Sequence, residues 1–179
     1  MPHSRSLRDG NQIRLIEGGE AYFQSVIAAI DQARSQVHLE TYIFDVHGTA
    51  AAVAEALERA ALRGVRVWLV VDGVGTGRLT DEWIHRFEQA GVAWRIYSPL
   101  GTWGLLIPSR WRRLHRKLCV VDGLVAFCGG INILDDWYIR SESARVASSK
   151  RLQSRMRIRG LSMVNVSMSM KVATKVSWQ

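Results

Sequence analysis

An α/β domain on a mixed, largely parallel sheet is the fold class that the sequence predicts, on three observations. Period-two apolar runs alternate with apolar patterns at helical spacing in the order β-α-β-α-β-α-β between residues 11 and 97. Glycines close two of the helical patterns, at Gly64 and Gly91. Two further strand-like runs follow an irregular segment and meet at Gly123-Leu124, the arrangement of a hairpin.

Each element has its own signal. NQIRLI (11–16) alternates as a short strand, and GEAYFQSVIAAIDQARS (19–35) carries Tyr22, Phe23, Val26, Ile27, Ile30 and Ala33 at helical spacing. QVHLETYIF (36–44) returns to period two. TAAAVAEALERAALRG (49–64) is an alanine-rich helix, and VRVWLVV (65–71) is a buried β-branched strand. DGVGTG (72–77) has neither G-x-G-x-x-G nor Walker spacing, so it reads as a tight strand-to-helix turn near the rim of a site. LTDEWIHRFEQAG (79–91) is a helix capped by Thr80 or Asp81, and VAWRIY (92–97) is the next strand. An irregular segment (98–113) leads to the hairpin HRKLCVVDGLVAFC and the turn GGIN.

Composition bounds the function. With 179 residues, 47% hydrophobic and 22% charged, the chain has the size of one globular domain. No run approaches 18 apolar residues and the first 19 residues lack a leader-like apolar stretch, so neither a membrane span nor secretion is expected. The net charge of +8 lies wholly in the last 37 residues, which hold eight basic side chains and no acidic one. Residues 1–142 are balanced, which makes nucleic acid an unlikely general partner. The chain therefore divides into a catalytic half-domain (1–142) and a basic tail (143–179), expected to be disordered, an acquired extension or out-of-frame sequence. Cys119 and Cys128 lack metal-site spacing and read as buried thiols.

The chemistry concentrates in LHRKLCVVDG (114–123). His115 and Lys117 share one strand face with Cys119 and Val121, whereas Asp122 has the other parity and is expected to be structural. With a two-residue loop at Gly123-Leu124, Asp122 faces Val125, Cys119 faces Cys128, Lys117 faces Gly130 and His115 faces Asn132. Gly129 and Gly130 then leave room for a substrate beside the backbone. An imidazole, an ammonium and a carboxamide around such a space suit a phosphoryl centre: Lys117 supplies charge, Asn132 donates hydrogen bonds, and His115 attacks phosphorus or shuttles a proton.

The string H-x-K-x-x-x-x-D, six residues, then G-G-x-N resembles the signature of the phospholipase D superfamily. LETYIF, GVRVWLVVDGVGTG, AGVAWRIYSP and HRKLCVVDGLVAFCGGINILDDW are most similar to the amino-terminal half of the bacterial cardiolipin synthases, over about residues 10 to 140. The resemblance implies an α/β/α sandwich and a catalytic set His115, Lys117 and Asp122, with Asn132, Gly129 and Gly130 at the phosphate. It implies a phosphohistidine intermediate with no metal and no cofactor, and transfer of a phosphatidyl group to a phosphatidylglycerol-like acceptor at the cytoplasmic face of a membrane. It also implies two signatures per active site. This chain has one, so a homodimer or downstream sequence is expected to supply the other.

Three rival readings follow: a truncated phosphatidyltransferase, a homodimeric phosphodiesterase or nuclease, or a truncated product without turnover. Glu40, Asp72, Asp135 and Asp136 are each candidates to orient His115, Asp136 foremost because it follows Asn132 by four residues. SPLGTWGLLIPSRWRRLHRK (98–117) mixes Trp103, Leu105, Leu106, Ile107 and Trp111 with Arg110, Arg112 and Arg113, the composition of a membrane-surface segment.

Overall fold

The computed structural model describes residues 11–99, 112–135 and 166–171. Within them lie β1 (Gln12–Glu17), α1 (Gly19–Asp31), β2 (Gln36–Thr41), α2 (Gly48–Leu62), β3 (Arg66–Asp72), α3 (Asp81–Ala90), β4 (Ala93–Tyr97), β5 (Leu118–Val121), β6 (Val125–Gly129) and β7 (Val166–Lys171). They form one mixed sheet in the order β1-β7-β6-β5-β2-β3-β4. Pairing is parallel across β2, β3 and β4 and antiparallel at the other four seams.

Alternation along the strands decides where the core sits. Val37 and Leu39 of β2, Val67, Leu69 and Val71 of β3, Cys119 and Val121 of β5 and Phe127 of β6 are all buried on one face. Gln36, His38 and Glu40 alternate with them and stay half-exposed. The helices cover the buried face: right-handed crossovers put α2 and α3 on the same side, and α1 joins them through Tyr22, Phe23, Val26 and Ile30, with the Tyr22 ring edge-on to Phe127 at 6.3 Å. The second helical layer of a sandwich is not found among the described residues. Small side chains let α2 lie close: Ala50, Ala54, Ala56 and Ala60 have no solvent exposure.

Helix ends follow their chemistry. Thr80, not Asp81, is the N-cap of α3, accepting the Trp83 N–H at 3.4 Å, and Gly91 ends that helix in the left-handed region at φ 83°. Asp135 reaches the first turn of α2, accepting from Thr49 N and Thr49 Oγ1 at 3.2 Å each. Its carboxylate lies where a Cβ on Gly48 would stand, and Gly48 is left-handed at φ 54°, so a side chain there would be strained and would displace Asp135.

The structure amends the expectation for the tail. Val166–Lys171 forms β7, which pairs with β1 on one side and β6 on the other. The sequence VSMSMK has a local period of two, and both neighbours offer free strand edges that a third strand satisfies. Ser169, paired opposite Arg14 and Phe127, tests this seam. Ser169→Pro removes a ladder donor there, so the melting temperature should fall and the amides of β6 should lose hydrogen-exchange protection.

Candidate active site

The β5–β6 hairpin differs from the two-residue loop expected. Val121 faces Val125, Cys119 faces Phe127 and Leu118 faces Cys128, so the loop has three residues, Asp122 to Leu124. Two left-handed residues make this possible: Asp122 at φ 54° and Gly123 at φ 67°, closed by Leu124 N–H on Val121 O at 2.9 Å. Every partner shifts by one. Lys117 now meets Gly129, whose N–H donates to the Lys117 carbonyl at 3.3 Å, and Cys128 turns to the face opposite Cys119.

Aspartate tolerates the left-handed position, and the fold uses its side chain. The Asp122 carboxylate accepts from Arg34 N, Ser35 N, Ser35 Oγ and Gln36 N at 2.8 to 2.9 Å, fastening the hairpin to the start of β2. Burial pushes this carboxyl up, but the hydrogen bonds from Gln36, Arg34 and Ser35 outweigh it and hold it down to about 2. Asp122 thus sits at one end of β5 with a holding task, and Lys117 and His115 lie at the other.

Lys117 keeps the parity of Cys119 and Val121 and is 7% exposed. Its Nζ donates to the His115 carbonyl at 3.3 Å, and no carboxylate pairs with it among the described residues. Burial lowers its pKa from the usual ammonium value. His115 itself stands beyond the last ladder bond, exposed, on an extended arm that precedes β5.

Asp72 holds that arm. The carboxylate has no solvent exposure; Oδ2 accepts the Leu114 N–H at 2.7 Å, while Oδ1 accepts from Val74 N at 2.8 Å and Arg113 Nη1 at 3.2 Å. It therefore fixes the backbone one residue before His115, and both its oxygens are taken by other donors. Arg113 also donates to the carbonyl and hydroxyl of Ser98 at 3.2 and 3.1 Å, so the guanidinium expected at a membrane surface points inward. Residues 100–111 of that segment lie outside the described residues.

Asn132 is fixed by its oxygen: Oδ1 accepts the Ile43 N–H at 3.2 Å, which turns the NH2 donor the other way. Ile133 N–H on Ile43 O at 3.1 Å and Asp45 N–H on Ile133 O at 2.8 Å lock the GGIN segment along the chain that leaves β2. Gly129 and Gly130 are exposed, and a Cβ on Gly130 would meet nothing within 4 Å, so the space beside them is open. The remaining candidates lie elsewhere. Glu40 stands on the opposite sheet face with Arg116 Nη2 at 3.0 Å, Asp135 serves α2, and Asp136 is outside the described residues.

Residues 26–158 match the family described as cardiolipin synthase, PLD-like domain. The chain belongs to this family of phospholipase D-like domains. Cardiolipin synthase B of Shigella flexneri is 39% identical over 127 residues, covering 71% of this chain and 31% of the relative, so the match spans under a third of that protein. At the level of fold, the PLD-like chain is similar to the phospholipase D family member Nuc from Salmonella typhimurium (TM-score 0.57, 20% identity, 90% of this chain and 83% of Nuc). It is similar also to NucT from Helicobacter pylori (TM-score 0.58, 15% identity, 90% and 86%).

Within the PLD-like site, sequence reasoning passed over Tyr42. Its ring centroid is 5.5 Å from that of His115 and 5.6 Å from Lys117 Nζ. The signal was available, an aromatic at the end of the strand that Asn132 then borders, but LETYIF read simply as a strand.

For Asp122 the folded pKa lies below the ordinary 3.8, so its bonds stabilise fully above about pH 4 and are lost as pH falls towards 2. Asp122→Asn should cost about 1–2 kcal/mol at neutral pH, discounted for the partly solvated turn, and should flatten the loss of stability between pH 4 and 2. Denaturant titrations over that range check both.

Proposed function

We propose that this chain is a catalytic half of a cardiolipin-synthase-type phosphatidyltransferase working through a phosphohistidine on His115. The observation that supports it is Lys117: a buried side chain whose ammonium has no carboxylate partner among the described residues and bonds to the carbonyl of the exposed His115. An unneutralised buried cation is costly, and an anionic ligand removes that cost. A phosphodiester has the charge, and the open backbone at Gly129 and Gly130 has the room.

The steps follow from the groups. A neutral imidazole nitrogen of His115 attacks phosphorus and forms a P–N bond as the glycerol oxygen leaves, taking a proton from a general acid. Lys117 and the Asn132 amide stabilise the charge on the non-bridging oxygens. The hydroxyl of a phosphatidylglycerol-like acceptor then attacks, gives up its proton and releases His115. The acid is the second imidazole of a paired signature, from a homodimer or from sequence downstream. The setting is peripheral, at the cytoplasmic face of a membrane, where both lipids are found; no described helix is long and apolar enough to cross one.

A homodimeric phosphodiesterase is the second reading, favoured by the single signature within residues 1–179. Turnover that rises with dimer concentration supports it, and lipid against DNA substrates divides the two.

On phospholipid vesicles, with the paired signature supplied, His115→Ala should abolish turnover and leave the melting temperature unchanged. Lys117→Ala and Asn132→Ala should each lose about 2–4 kcal/mol of transition-state stabilisation. EDTA should leave the rate unaltered, since imidazole and ammonium perform the transfer without a Lewis acid. Turnover in His115→Ala, or inhibition by EDTA reversed by a divalent cation, would contradict the proposal.

A further inference from the structure

We infer that Tyr42 is a positioning residue of this site, its ring face holding the Lys117 ammonium charged and the His115 imidazole in place, and that the DGVGTG loop exists to hold Tyr42. The inference deepens the reading of a phosphate-binding site and rests on it for its purpose, not for its geometry.

Tyr42 is the one described side chain in ring contact with both His115 and Lys117. The Lys117 Nζ lies 5.6 Å from the ring centroid, inside the range where the negative face of an aromatic attracts a cation. The ammonium is buried and its hydrogen bond is to a carbonyl, so the ring is a main source of negative potential beside it. The His115 ring is tilted 52° to Tyr42 at 5.5 Å, a packing contact that restricts the imidazole on its exposed arm.

The backbone of Tyr42 is held with matching care. Thr76 Oγ1 donates to the Tyr42 carbonyl at 3.1 Å and accepts the Phe44 N–H at 3.0 Å, clasping the chain on both sides of Ile43. Gly75 lies so close that a Cβ there would overlap the Tyr42 carbonyl. Thr76 N–H in turn binds the carbonyl of Asp72, the residue whose side chain fixes Leu114. One loop thus sets Tyr42 from one side and His115 from the other.

The other charges among the described residues are engaged elsewhere. On the elements around Lys117, Arg116 and Glu40 pair with each other on the opposite face, Cys128 faces that side too, and Asp72 pairs with Arg113. Asp45 pairs with His47, and Asp135 binds the start of α2, which leaves His115 and Tyr42 as the titratable neighbours among the described residues.

The test is an NMR titration of the Lys117 side chain in the full chain, with 31P-detected binding of inorganic phosphate at pH 8. Tyr42→Phe keeps the ring and should match the parent in both. Tyr42→Leu and Tyr42→Met remove it; the Lys117 pKa should fall by about 0.5–1, and phosphate should bind about 3- to 10-fold more weakly. An unchanged Lys117 pKa in a folded Leu or Met variant, or an equal fall in Tyr42→Phe, overturns the inference. If the parent chain binds no phosphate, the reading of the site fails, while the lysine titration still decides the role of Tyr42.

Discussion

The carboxylate of Asp72 ties the arm before β5 to the ends of β3 and β4, to which no described strand ladder joins it. Through Leu114 N–H it holds the arm that carries His115, through Val74 N–H it shapes the loop after β3, and through Arg113 it reaches Ser98 at the end of β4. A fully buried carboxylate costs several kcal/mol in lost hydration, which only a full set of donors and a paired cation offset. The donors come from chain segments 40 residues apart in sequence. The charge therefore enforces their meeting: when any segment leaves, a buried oxygen loses its partner.

From that anchor the site builds outwards in two directions. Leu114 places the chain at His115, and Lys117, just before β5, returns its ammonium to the His115 carbonyl. The Asp72 carbonyl places Thr76, which clasps Tyr42 and Phe44; Ile43 between them fixes Asn132 by its oxygen. The far end of β5 is held separately by Asp122 on the start of β2. Asp122 thus serves the architecture, while the His115 side chain is exposed and Lys117 stays buried. Asp122 follows β5 and His115 precedes it, so a four-residue strand separates the holding carboxylate from the exposed imidazole.

Much of this was legible from residue patterns, for physical reasons. The period-two burial of QVHLET and RVWLVV and the glycine stop at Gly91 are local properties, and the structure keeps them. The hairpin register was not legible, because it depends on Asp122 adopting a left-handed conformation that only its distant bonds to Arg34 and Ser35 repay. Nor was the task of Asp135, whose partner Thr49 lies 86 residues earlier. β7 was hidden by composition: a serine- and methionine-rich stretch in a basic tail has weak strand propensity, and it is the paired edges of β1 and β6 that make a strand of it. Asp72, one of four carboxylates that could have oriented the imidazole, instead binds the backbone beside it.

Hydrogen exchange at the Leu114 amide tests the central claim most directly. This amide belongs to no strand and adjoins an exposed histidine, so only its 2.7 Å bond to a fully buried carboxylate can protect it. In the full chain it should exchange as slowly as the amides of β5, and in Asp72→Asn it should exchange much faster while β2 and β3 stay protected. Rapid exchange of Leu114 in the parent chain, or slow exchange that survives Asp72→Asn, would contradict the account.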